Sequence, residues 1–185
     1  MINSDVVKYS KSLENLHIAR WYELPDFDLY ATQIIEIVKK ELFFLSIFDE
    51  EFLTKSMLNN YVKNKVIPKP ENKKYTREAL AKLIVITLLK QIMEISDVKD
   101  GMRLQIQNSG GVEKAYNLFC GQIEEAVRLI FVNNLKTDKT FDLTIKNIDK
   151  INIITNLAAL ALVSKLMVKK VVSSNGFIIK NDDYE

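Results

Sequence analysis

Lys55, Ser56, Asn59, Asn60 and Lys63 recur at the three- and four-residue steps that gather side chains on one side of a helix. Their chemistry suits a nucleic-acid duplex. Asparagine can pair with adenine through two hydrogen bonds, and lysine reaches phosphates on a long flexible stem. Close by, Lys65 and Lys74 lie on either side of the segment PKPENK, which ends in Lys73 and whose prolines favour a turn, so that a hairpin wing could lie along a phosphate backbone. From Thr54 to Lys90 the chain holds nine cations and two carboxylates, a local charge of +7 in a chain of +2, which leaves −5 elsewhere. One sign of charge gathered on a short polar helix and its hairpin is the pattern of a surface that meets a polyanion. A solvated face in a lysine-rich protein is the plainer reading of the same residues.

Other chemistry has less to work with. His17 and Cys120 are the lone histidine and cysteine. Together they make neither a Cys/His zinc site nor an intrachain disulfide. His17 reads as a surface or half-buried residue, and Cys120 as a small core residue. Carboxylates are scattered or adjacent, as in Asp49-Glu50-Glu51, without the spacing of a metal site or an acid/base pair. Gly110–Gly111 lacks the lysine pattern of a phosphate loop. The expectation is no catalytic residue, no metal and no cofactor.

The elements that must position the cationic residues are helical. Only five glycines and three prolines punctuate 185 residues, too few for the tight turns of an all-β fold. Pro25 and Asp26 mark a start, and Leu29, Tyr30, Ile34, Ile37, Val38, Leu42 and Leu45 predict one helix over 29–45. Trp21, Tyr22, Phe27 and Tyr30 either line an effector pocket or pin the N-terminal segment to the core. Thr54 caps a helix running to about Asn64, buried through Met57, Leu58, Tyr61 and Val62. Val66–Ile67 and Lys74–Tyr75 are read as the two arms of the hairpin. Thr76 then caps a helix whose run ALAKLIVITLLKQIM is apolar nearly all round and therefore central, and Ser96 opens another.

Asn108-Ser109-Gly110-Gly111 is the clearest break, dividing the chain into a domain over 1–107 and a C-terminal helical region over 108–185. Beyond it Val112, Ala115, Tyr116, Phe119, Ile123, Ala126, Val127, Ile130 and Phe131 form a stripe, with Glu113, Lys114, Glu124, Glu125 and Arg128 facing away. A loop over 136–142, a last helix from Thr144 to Val172 and a short strand at Phe177–Ile179 complete the expectation. Ile151 to Val172 is the most apolar stretch. It is broken by polar residues and the Lys169–Lys170 pair, so it reads as a buried helix or subunit interface rather than a membrane span. The N-terminus lacks an apolar signal-peptide core, which points to the cytoplasm.

The string Met57-Leu58-Asn59-Asn60-Tyr61-Val62-Lys63-Asn64-Lys65-Val66-Ile67-Pro68, followed by Lys73-Lys74-Tyr75-Thr76 and Ile95-Ser96-Asp97-Val98, resembles the mercury-resistance-regulator (MerR) type of winged helix-turn-helix. The regulators' Arg-Tyr-Tyr is Asn59-Asn60-Tyr61 here, and the wing is shorter and without glycine. The longer run from Trp21 to Leu104 is similar to a bacterial family, domain of unknown function number eighteen thirty-six. These resemblances imply a mainly all-α fold, a MerR-like winged helix-turn-helix with a short β-hairpin wing and a C-terminal helical pair. They imply a dimeric regulator that binds double-stranded DNA through Lys55, Ser56, Asn59, Asn60, Lys63, Lys65, Lys73 and Lys74. The C-terminal helices would pair two copies or hold an unidentified small-molecule effector. The competing expectation is a helical protein-interaction or adaptor module of the same shape.

Overall fold

The computed structural model describes residues 1–135, 140–141, 143 and 148–178. Among these, seven α-helices and one two-stranded antiparallel sheet follow in the order α1 (Ser4–Ser12), β1 (Leu29–Tyr30), α2 (Ala31–Glu41), α3 (Lys55–Lys63), β2 (Lys74–Tyr75), α4 (Arg77–Leu89), α5 (Ile95–Ser109), α6 (Val112–Val127) and α7 (Ile153–Ser173). The fold is mainly helical, as the scarcity of glycine and proline predicts.

Helix α4 is buried over most of its circumference: Leu80, Leu83, Ile84, Ile86 and Leu88 are fully enclosed, and only a narrow strip through Glu78 and Lys82 reaches solvent. Its one deep hydroxyl, on Thr87, donates to Leu83 O at 2.7 Å, so that no polar group is orphaned there. Helices α2, α5, α6 and α7 pack around it. Each fully buried aliphatic side chain contributes roughly 1.5–3 kcal/mol. A single apolar cluster runs from Ile2 to Met167.

Three boundaries differ from the sequence reading. Leu29–Tyr30 is a strand rather than the first turn of a helix, because it pairs with Lys74–Tyr75 in the register Leu29↔Tyr75 and Tyr30↔Lys74. Helix α2 therefore starts at Ala31, where Gln33 Oε1 accepts the Tyr30 N–H at 2.8 Å. At its other end α2 stops at Glu41, and Leu45 is buried from a 3-10 turn over Phe43–Ile47. Helix α7 begins at Ile153, after a 3-10 turn over Lys150–Asn152 capped by Asp149. The expected start at Thr144 lies outside the described residues, as does most of the expected loop over 136–142.

The glycine pair closes α5 as read. Gly110 is left-handed (φ 74°), its N–H bonds Gln107 O, and the Gly111 N–H reaches Ile106 O. Helix α7 packs closely against α6. The strand expected at Phe177–Ile179 is a single antiparallel bridge between Ile178 and Ile2, with Asn3 N–H bonded to Phe177 O at 2.8 Å; Ile179 lies outside the described residues. Among the described residues, Lys150–Ser173 is the one helical stretch long and apolar enough to cross a membrane, by length and composition alone. Leu162, Val163 and Leu166 lie fully buried in the core.

Candidate nucleic-acid interface

Helix α3 is seated by its apolar side and presents its polar side to solvent. Leu58 and Tyr61 are buried, with Met57 and Val62 half-buried beside them. Burial pushes the Tyr61 phenol up to about 12, so it stays neutral. Thr54 Oγ1 caps the helix by accepting the Met57 N–H at 3.2 Å. Lys55, Ser56, Asn59, Asn60 and Lys63 are all exposed. Asn64 Nδ2 donates to Asn60 O and Oδ1, at 3.0 and 3.1 Å, which leaves Asn59 the less engaged of the two amides.

The chain leaves α3 by a Schellman turn with a lysine where glycine is usual. Lys65 takes φ 56°, its N–H bonds Val62 O, and the Val66 N–H bonds Tyr61 O at 3.0 Å. That geometry corrects the hairpin. The Val66 and Ile67 amides turn back onto Tyr61 O, at 3.0 and 3.4 Å, and both side chains are buried, while Pro68 has no N–H to extend a ladder. The partner of Lys74–Tyr75 is therefore Leu29–Tyr30. The turn itself is tighter than PKPENK suggested. Glu71 and Lys74 exchange backbone hydrogen bonds of 3.0 and 2.8 Å around Asn72 (φ 48°) and Lys73 (φ 66°), a two-residue turn with both central residues left-handed. Lys73 is exposed at its tip. Lys74 is half-buried, its ammonium 5.2 Å from the centroid of the Tyr30 ring.

The nine cations divide. Lys55, Lys63, Lys65, Lys69 and Lys73 are exposed, and none is in an ion pair among the described residues. Three others serve the fold. Lys82 pairs with Glu78 at 2.6 Å, and Arg77 donates to Pro25 O and lies 6.0 Å from the Trp21 ring centroid. Lys90 donates to Phe52 O, and burial lowers its pKa against the pull of Asp49. Lys99 of α5 was not anticipated; it reaches Asn64 O at 3.3 Å, adding a cation at the C-terminus of α3. Of the aromatic quartet, Tyr22, Phe27 and Tyr30 are exposed, and Trp21 is half-buried against the core.

A second polar cluster escaped the sequence reading because Glu124 was placed on the outer face of its helix. It is 7% exposed. Its carboxylate accepts the Ile18 N–H at 2.8 Å and both Arg20 guanidinium nitrogens at 2.7 and 2.6 Å. Burial raises its pKa, but the Arg20 and Ile18 hydrogen bonds and the guanidinium charge outweigh that and hold it below the ordinary value. His17 lies between this carboxylate and Glu23, 2.8 Å from the latter. The signal was available: Tyr116, Cys120 and Glu124 are four residues apart, on one line of α6. Cys120 is fully buried, as expected, and burial pushes its thiol up to about 12. Among the described residues no group of three or more His, Cys, Asp or Glu is placed to hold a metal ion.

An apolar pocket of about 50 Å³, open to solvent on one side, lies between α4, α5, α6 and the start of α7, with Val85, Met102, Phe119 and Ala158 in its wall. Gln105 lines it too; its Nε2 donates to Ser109 Oγ and Asn152 Oδ1, while its Oε1 has no partner. That volume has room for a water beside Gln105 Oε1.

No curated protein and no solved structure matches the chain. One family model does, over residues 19–119, from just before Arg20 through α2, α3, the Asn72–Lys73 turn, α4 and α5 into α6. That span takes in more than half of the chain and every exposed lysine of the α3 surface, so the protein belongs to the family described as a domain of unknown function, DUF1836.

Proposed function

We propose that the chain binds double-stranded DNA through α3 and the Asn72–Lys73 turn, as a dimer held by its C-terminal helices, and regulates transcription as a winged helix-turn-helix of MerR-like type. The observation that carries this reading is the solvent-facing set Lys55, Ser56, Asn59, Asn60 and Lys63 on a short helix anchored by Leu58 and Tyr61. Lys65 and Lys73 support it in a different way. Both occupy left-handed positions that cost an L-residue roughly 1–2 kcal/mol, where glycine would relieve the strain. A lysine at such a position puts an exposed charge where the backbone alone would favour glycine. On this reading Asn59 meets a base edge, Lys55 and Lys63 reach phosphates beside it, and Lys65, Lys73 and Lys74 follow the backbone. The protein works in the cytoplasm and is not an enzyme.

Anisotropy titration of a duplex about two turns long, at several salt concentrations, tests the proposal. With three or four phosphates neutralised per protomer, log affinity should fall with log salt at a slope of roughly −5 to −7 per dimer. The Lys63→Glu/Lys73→Glu variant should flatten that slope by about 4 and keep its helical circular dichroism. Unchanged affinity in the folded variant overturns the assignment.

A protein-interaction or adaptor role is favoured by the exposed Phe27 and Tyr30, the latter in the strand that pairs with β2. Retention of an acidic protein without retention on DNA or heparin would decide for it.

A further inference from the structure

The outer face of α7 carries an apolar stripe that nothing in the protomer covers among the described residues. Ile154, Leu157, Ala161, Ser164, Val168 and Val172 are exposed and follow one another at steps of three and four, the spacing of a coiled-coil seam. Leu157 is 52% exposed, Val168 62% and Val172 70%. With Ile151 and Ile153, the large side chains expose on the order of 600 Å², the upper limit of patches on soluble monomers and close to what each partner gives a stable dimer. Lys165 and Lys169 are exposed along one edge of it. Lys165, the charge nearest its centre, is folded back to donate to Gln91 O, with its ammonium 5.1 Å from the Phe48 ring centroid.

We infer that this stripe is the dimer contact, and that it pairs antiparallel with α7 of a second copy about a two-fold axis between Leu162 and Val163. The inference deepens the proposed function by naming the helix and face that join two DNA-binding heads. The residue types favour that axis. Antiparallel pairing about it sets Leu157 against Val168, Ile154 against Val171 and Ile153 against Val172 of the other copy. Ala161 then faces Ser164, small against small, so the two backbones can approach closely at the crossing. Parallel pairing would instead bring both Lys169 side chains together and align the helix dipoles unfavourably, whereas the antiparallel pair places each Lys169 beside Asn156.

Sedimentation velocity of the full chain without DNA tests this independently of the DNA reading. The wild type should sediment as a dimer, and Leu157→Glu should be monomeric with unchanged circular dichroism. Leu157→Glu/Val168→Lys in one chain should dimerise again, since the antiparallel pair matches each new glutamate with a new lysine while a parallel pair opposes like charges. A monomeric wild type, or a Leu157→Glu chain that stays dimeric, overturns the proposal. Failure of the charge-swapped double variant to re-form the dimer overturns the antiparallel register. A monomeric wild type that co-sediments with phosphatidylcholine–phosphatidylglycerol vesicles, while Leu157→Glu does not, assigns the stripe to a membrane surface instead. A dimer that passes these tests and binds no DNA leaves the interface standing and removes the regulator reading alone.

Discussion

Replacing Glu124 with alanine should destabilise the protein by about 3 kcal/mol. The figure follows from what the carboxylate holds. Its loss orphans the fully buried Ile18 N–H, which costs about 1–3 kcal/mol, and removes a bidentate charge-assisted contact to Arg20, worth about 1.5–3 kcal/mol. Arg20 keeps 29% of its side chain in solvent, so its stranded charge costs less than a fully enclosed one would. For a chain of this size the loss corresponds to a fall in Tm of about 6–12 °C, measured by calorimetry at pH 7. A cycle with Arg20→Met should give a coupling energy above about 1.5 kcal/mol.

The pH dependence carries a sign. The folded pKa of Glu124 lies below the usual 4.5, so its stabilisation is present above that value and is lost as pH falls through the folded one. The gap between wild type and Glu124→Gln should therefore be full at pH 7 and close in acid. A fall in Tm of less than about 2 °C for Glu124→Ala, or a gap that widens below pH 4.5, would refute this account of the ion pair.

Lys65→Gly and Lys73→Gly should each leave stability unchanged or raise it by up to about 1 kcal/mol in urea unfolding, because glycine relieves the left-handed strain while costing more unfolded-state entropy. Both should weaken DNA binding and flatten its salt slope; a matching loss of stability would show the lysines to be structural. Cys120 should resist a thiol reagent in the native state at pH 8 and react fully in denaturant, given its burial and a pKa of about 12. Rapid native labelling would mean that α6 opens locally.

Much of the helical plan was legible because it rests on local rules. Thr54 and Thr76 cap the helices they precede, the largely apolar run after Thr76 occupies the centre, and Gly110 sits left-handed at the break. The polar side of α3 was also legible, since period 3.6 alone opposes Asn59 and Lys63 to Leu58 and Tyr61. What that periodicity leaves open is the partner. Lys74–Tyr75 can pair with either neighbouring extended segment, and the choice fell to Leu29–Tyr30 because Val66 and Ile67 spend their amides closing α3. Glu124 likewise looks solvent-facing until the segment around Arg20 is laid across α6, more than a hundred residues away in sequence.

The sequence by itself determined the mainly helical plan, the threonine caps of α3 and α4, the apolar side of α3 and the concentration of charge around it, since each depends on residues within a turn or two of one another. Only the tertiary structure decided which strand meets β2, that Lys82, Arg77 and Lys90 belong to the fold rather than the cationic surface, and that one side of α7 is left bare among the described residues. Those outcomes depend on contacts between distant segments, where packing and desolvation select among pairings that local preference leaves nearly equal in energy.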